Sequence, residues 1–444
     1  MNASIISSID FLLVPLYFLV LYVLIRFIKN KYPNDILIQK YLAKAFVVKI
    51  FGGLLYALLV YYYWGFGDTL TYFKESLVFK DLIEAGKISL IDVFSKDYTF
   101  FRENYEMRGA INNSGFVVVK ISLLLTYIGF NRFLICTMLM SFIALFGVFK
   151  LFEAFVSFAP KWHFLIAIVI LFFPSLNIYG AGLLKDNICF TSLGCFFYGC
   201  INISKRKAKW TDYLYVFVAA YLILIIKAYI IAALFIPLLM FICMNLLRKI
   251  RLKFFRWMAF PLIVLFFSST IFIFYDDINE GLGAYAIEHL QENIVELKDS
   301  YATLNEDADS NFDIGDMEPN VAGILKKLPT GFVATLYRPF VWEVRKPIMV
   351  LSAIESLFLV FFSVFVIIKV GILKFAKYFT INPIIFLCLL YSIIFASLVG
   401  ISTVNFGTLA RYRIPVIPFY YMGFLLVFYE FKTEVKKKQI QNVV

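Results

Sequence analysis

The sequence predicts an all-α, polytopic transmembrane bundle of about eleven spans, on three observations. Apolar runs of about 15–24 residues recur along the chain, the length that crosses the hydrocarbon of a bilayer. Only 16% of the 444 residues are charged while 62% are hydrophobic and 19% aromatic, against roughly 25% charged in soluble domains. The runs are continuous and do not alternate with period two, which favours helices over a barrel.

The spans follow in order at 9–28, 45–64, 133–155, 163–180, 187–204, 211–228, 229–247, 256–275, 348–370, 382–402 and 412–431. The first has neither the basic flank nor the small-residue cleavage site of a signal peptide, so it reads as a retained span. A further apolar segment at 116–130 is short, contains Lys120 and follows "NNSG". If it crossed the bilayer, the later basic loops would fall on opposite sides. Placed at the interface, it leaves the basic loops at 26–44, 156–162, 204–210, 248–256 and 369–378, and the C-terminus, all on the cytoplasmic side. The N-terminus is then outside.

The net charge of +12 sits in short tracts beside apolar runs, such as "SKRKAK" (204–209), "RKIRLKFFR" (248–256) and "KTEVKKK" (432–438). That distribution suits the cytoplasmic loops of a membrane protein and argues against a nucleic-acid partner. The six cysteines fall in or beside apolar runs with no metal or disulfide spacing, and His163 and His289 are isolated from each other. No GxxxxGK[ST] occurs, so no nucleotide-driven engine is evident.

The chain reads as one integral membrane domain with two outer-face loops, 66–132 and 276–347. Residues 66–115 hold eight Asp/Glu and six Lys/Arg, and residues 276–347 hold fourteen and six. Loops that long in a compact protein are usually functional or disordered.

Chemistry-bearing residues border the spans on this outer side. "FPSLNIYGAGLLKDNICF" (173–190) breaks an apolar stretch with Pro174 and two glycines, then sets Lys185 beside Asp186. Charges at such depth are costly unless they face protein or water. "WGFGDTLTYF" (64–73) places Asp68 and Tyr72 just after the second span, and "ENYEMRGAINNSG" (103–115) supplies Arg108. Lys227 lies at a hairpin tip, "LYRPFVWEVRKP" (336–347) supplies Arg338, Trp342 and Glu343, and "NFGTLARYRIPVIPF" (405–419) supplies Asn405, Arg411 and Arg413. Guanidinium and ammonium groups near the membrane surface suit a diphosphate headgroup. A carboxylate opposite them can accept a proton from a sugar hydroxyl, and aromatics such as Trp64, Tyr72, Tyr337 and Trp342 can stack on sugar rings. Each has a plainer reading: interfacial anchoring for the aromatics and arginines, internal pairing for Lys185-Asp186 and for Glu355 within a span.

The combination "GDTLTYF" after a span, with a second acid after "FPSLNIYGAGLLKD", resembles the GT-C class of membrane glycosyltransferases. The resemblance implies Asp68 or Asp186 as catalytic base, 116–130 as an interfacial helix, and a polyprenyl-phosphate or -diphosphate sugar donor with inversion at the anomeric carbon. The layout is also similar to O-antigen and exopolysaccharide polymerases of the bacterial cytoplasmic (inner) membrane, with envelope polysaccharide-assembly partners. Thr69 stands where the class often carries a second carboxylate, an N-terminal span is additional, and a C-terminal outer domain is missing. A divalent cation shared by Asp68 and Asp186 is compatible but not demanded. Two other classes compete: a transporter or flippase of a lipid-linked sugar, with Lys227 and Glu355 as relay residues, and a non-catalytic envelope assembly protein.

Overall fold

The computed structural model describes residues 5–105, 107, 111–247, 310–312, 314–315, 321–403 and 405–441. Among these the chain is helical, its one strand-like feature an isolated bridge between Asn311 and Asn405. Eight helices are long and apolar enough to cross a membrane, and a bent pair adds a ninth if counted as one span. The described residues form two compact units, Met1–Ala228 and Tyr229–Val444.

In the first unit, α1 (Ser8–Lys31) and α2 (Ile38–Trp64) are followed by α3 (Asp68–Glu84), α4 (Leu90–Ser95), α5 (Tyr98–Asn104) and α6 (Asn113–Ile128). Then come α7 (Phe133–Val156), α8 (His163–Ile170), α9 (Pro174–Ile178), α10 (Lys185–Ser204) and α11 (Trp210–Lys227). Helix α7 is central, with 78% of its apolar window buried, whereas α1 buries 11% and turns Phe11, Leu12 and Leu16 outward. Such a face suits lipid contact, where no water drives it inward.

Helices α7 and α10 run in the same direction. Near their starts Ser141 Oγ accepts from Gly182 N at 3.3 Å, further along the Phe155 and Phe197 rings lie 4.9 Å apart, and at their ends Lys205 Nζ donates to Ser157 Oγ at 2.7 Å. They touch backbone to backbone: a Cβ on Gly194 would lie 2.0 Å from the Gly147 carbonyl oxygen. Close approach through small residues is how helices associate where hydrophobic burial supplies little drive.

Because α7 and α10 are parallel, residues 158–184 must return from the end of one to the start of the other. The sequence expects a helix over 163–180. The chain does return there, but α8 has only eight residues and rises about 12 Å, and α9 is a single short turn. The physical reason is local: Pro174 lacks an N–H to continue the ladder, and Gly182 takes a left-handed φ of +80°. The 116–130 segment is α6. Its cap residue Asn112 meets Lys185 at the start of α10, while just past its other end Arg132 donates to Ser7 Oγ at the start of α1 (2.7 Å) and Ile128 O accepts from Tyr17 OH in the first half of that helix (2.6 Å). Both ends of α6 therefore meet the same end of the long helices. Lys120, the charge that makes this segment awkward as a span, donates to the carbonyls of Phe94 (3.3 Å) and Lys96 (3.4 Å).

The second unit contains α12 (Tyr229–Leu247), α13 (Val321–Tyr337), α14 (Met349–Val370), α15 (Ile372–Ile381), α16 (Pro383–Ile401), α17 (Phe406–Tyr412) and α18 (Ile417–Gln441). The α17 and α18 axes are bent by 60°. Ser363 Oγ meets Tyr420 OH at 2.6 Å and the Phe365 ring meets Phe428, so α14 and α18 run in parallel. Tyr391 packs on Phe419 while Asn382 binds Glu430, so α16 runs opposite to α18. The expected span at 256–275, and Arg108, lie outside the described residues.

Candidate functional site

Two polar clusters emerge, one in each unit. In the first, α10 begins where the broken return segment ends, and its first turn carries Lys185 and Asp186. Asp186 is 2% exposed and pairs with Lys227 from the last turn of α11. A carboxylate in the first turn of a helix is favoured by the backbone N–H groups there, and a buried pair holds only where both charges find partners. Lys185 Nζ donates to Asn112 Oδ1 (3.1 Å) and Ser114 Oγ (3.2 Å). Asn112 Oδ1 also accepts from Gly115 N at 2.9 Å, so the residue that caps α6 also docks it on α10.

The break itself is lined by side chains that satisfy its backbone. Asn177 Nδ2 donates to the carbonyls of Leu171 (3.0 Å) and Phe173 (2.9 Å), and Asn187 Nδ2 to Gly182 O (2.9 Å). Lys49 Nζ, from the middle of α2 and 1% exposed, donates to Leu176 O (3.0 Å) and to Gly180 O. Irregular backbone at membrane depth persists only with such partners.

Asp68 is the first residue of α3 and half-buried. Tyr72, one turn later, is buried against the start of α6, its ring 3.1 Å from where a Cβ on Gly115 would sit. Trp64 ends α2 with its ring near Tyr56. A cleft of about 410 Å³ is lined by Tyr98, Thr99, Arg102, Ile111, Asn112 and Asn113, reaching the residue that binds Lys185.

In the second unit Arg413 is 1% exposed at the bend between α17 and α18. Its guanidinium pairs with Glu355 (3.3 Å) and donates to Ser356 Oγ (2.8 Å) and to the carbonyls of Arg338 and Ser352 (3.4 Å each). Arg338 forks onto Glu343, with Nε 2.9 Å from Oε1, and its guanidinium carbon lies 4.9 Å and 5.3 Å from the ring centres of Phe312 and Phe406. Partial burial raises the Glu343 pKa, but hydrogen bonds from Arg338 and Phe340 N outweigh it and hold the carboxyl below its ordinary value of 4.5. Trp342 is 81% exposed and stacks on Phe340 at 4.8 Å. Arg411 is half-buried in the last turn of α17. Asn405 caps α17 through Gly407 N (2.8 Å) and binds Asn311 (3.0 Å). Tyr337 OH reaches Tyr420 OH at 2.5 Å.

The structure thus joins Asp186 to Lys227 and Arg338 to Glu343, and gives Arg413 and Asn405 internal partners. Among the described residues no three His, Cys, Asp or Glu side chains gather as a metal site would require. Sequence reasoning missed Lys49. The expected span starts at 45, which sets that lysine in its first two turns, whereas α2 begins at Ile38 and places it mid-helix. Glu355 carried a usable signal, a carboxylate inside an apolar run.

These units define an all-helical protein whose long apolar helices suit a membrane. Comparison with protein-family models, with curated proteins and with solved structures gives no match.

Proposed function

We propose that this chain is an integral protein of the bacterial cytoplasmic membrane that transfers or polymerises sugars from a polyprenyl-(di)phosphate donor at the outer face. The observation that carries the reading is the buried Asp186–Lys227 pair at the start of α10, beside Lys185 and directly after a broken crossing. Half-buried Asp68 is the base: it takes the acceptor hydroxyl's proton as the new bond to the anomeric carbon forms. The sugar–phosphate C–O bond breaks, and Lys185 and Lys227 stabilise the charge that the departing (di)phosphate collects.

The eight long helices, the bent pair, the broken crossing and the 256–275 run make up the eleven spans. Lys29, Lys31, Lys161, Lys205 and Lys207 lie at or beyond the ends of α1, α7 and α10 that are opposite to Asp186, and the positive-inside rule supports reading that end as cytoplasmic and the N-terminus as outer. The test is the lipid-linked and surface glycan profile of a deletion strain complemented at matched membrane levels. Wild type restores the missing glycan, and Asp68→Asn and Asp186→Asn do not. Restoration by both variants would sink the catalytic assignment.

The broken crossing favours one second reading, transport of a lipid-linked sugar, since discontinuous helices line many transporter sites. Transport predicts that undecorated lipid-linked glycan accumulates on the inner leaflet, whereas transfer predicts accumulation of its donor on the outer leaflet.

A further inference from the structure

The second unit carries a lysine-rich surface that the sugar chemistry does not use, with Lys374 and Lys432 lying over the Phe431 and Phe428 rings. Helix α15 joins the ends of α14 and α16, which run in opposite directions, so it lies along the end of the unit and does not pass through it. Ten residues rise about 15 Å, half a hydrocarbon thickness. Tyr378 is its one buried residue, donating to Glu434 Oε2 at 2.5 Å and so fastening α15 to the last turns of α18.

Two kinds of side chain face outward there. Ile372 (73%), Leu373 (84%) and Ile381 (56%) are exposed large apolar groups on a short helix. Around them Lys369, Lys374, Lys377, Lys432, Lys436 and Lys437 are all exposed. The carboxylates that could offset them are engaged: Glu430 accepts from Asn382 Nδ2 (2.9 Å), and Glu434 from Tyr378 and from Lys438 (3.2 Å). A short surface helix with exposed leucine and isoleucine beside lysines fits the boundary between acyl chains and anionic headgroups. Neither a free phosphate nor a soluble acidic partner would account for the apolar residues.

We propose that α15 and the last turns of α18 form a binding surface for anionic phospholipid, with Ile372 and Leu373 in the acyl region and the six lysines on the headgroup phosphates. This inference stands apart from the sugar chemistry and survives if that reading fails.

The test uses the purified full chain in neutral detergent, titrated with phosphatidylglycerol or phosphatidylcholine and read by native mass spectrometry. Wild type retains phosphatidylglycerol at least tenfold more tightly than phosphatidylcholine, and the preference shrinks as salt rises. The triple variant Lys374→Gln/Lys377→Gln/Lys432→Gln changes only exposed side chains. At about a factor of five for each lysine, it weakens phosphatidylglycerol binding on the order of a hundredfold. The control Lys96→Gln, in the first unit, leaves it unchanged. Leu373→Ser weakens both lipids. Unaltered preference in the triple variant, equal loss in the control, or full displacement of lipid by inorganic phosphate at matched ionic strength would each overturn the proposal.

Discussion

Each unit buries an acid–base pair beside a helix bend or break, yet the two pairs are built differently. In the second unit Arg413 spends its guanidinium on four acceptors from two stretches of chain: Glu355, Ser356 Oγ and the Ser352 carbonyl on α14, and the carbonyl of Arg338. A planar fork with that many fixed partners is a clamp for the α17–α18 bend. In the first unit Lys227 is a compact charge on a flexible stem, and its partner Asp186 sits where a helix N-terminus already favours an anion. Opening that pair leaves Asp186 with part of its stabilisation, so under the proposed function Lys227 is the group expected to turn to a phosphate while Arg413 stays fixed.

The sharpest way to break this comparison is to remove each cation. Arg413→Ala strands Glu355 and two carbonyls, and is expected to cost about 3–5 kcal/mol, seen as loss of the monodisperse peak or a large fall in thermal unfolding temperature in detergent. Lys227→Met is expected to cost about 1–3 kcal/mol, because the backbone N–H groups of the first turn of α10 still favour the Asp186 carboxylate. Equal losses would erase the distinction between clamp and exchangeable pair.

Next in size is Lys49→Met, which removes the donor to Leu176 O and Gly180 O. Leaving buried carbonyls unpaired costs about 1–3 kcal/mol each. Cysteine accessibility at Ser175→Cys, measured with a small thiol reagent, is expected to rise in the Lys49→Met background as the break loosens. Unchanged accessibility would show that the break does not need the ammonium.

A smaller effect belongs to the half-exposed Arg338–Glu343 pair. Its folded-state carboxyl titrates below the ordinary 4.5, so the pair's contribution is present above that value and is lost as pH falls through the lowered one. Thermal unfolding of wild type against Glu343→Gln should differ at neutral pH and converge in that acidic window. A difference persisting at the lowest pH would mean the pair is not what stabilises the 338–343 turn.

The smallest expected effect is Trp342→Ala, under about 0.5 kcal/mol in stability for so exposed a ring. Sugar stacking predicts reduced glycan product at unchanged stability, and an anchoring role predicts neither.

How much was legible follows the range of each interaction. The long spans could be read because twenty apolar residues have one fate in a bilayer, and α7 and α16 lie within a residue or two of the expected bounds. The pause at "FPSLNIYGAGLLKD" was legible from Pro174 and the glycines, and its charged pair was placed where the structure has it. Which partners Lys185 and Asp186 take was not legible, since those partners lie far along the chain. Lys185 turns to Asn112 and Asp186 to Lys227, residues 73 and 41 positions away.

Composition and local pattern alone therefore determined that this is a helical membrane chain, where its apolar helices fall, and which charges sit at their ends. Those are properties of single segments in a solvent that cannot hydrogen-bond their backbone. Only the tertiary structure decided that α7 and α10 run in parallel, so that the chain must return through a broken segment, and that Lys49 and Arg413 are spent on backbone and partner groups. Pairing between segments depends on which helix faces which, and a buried charge takes its partner from across the bundle rather than from its neighbours in sequence.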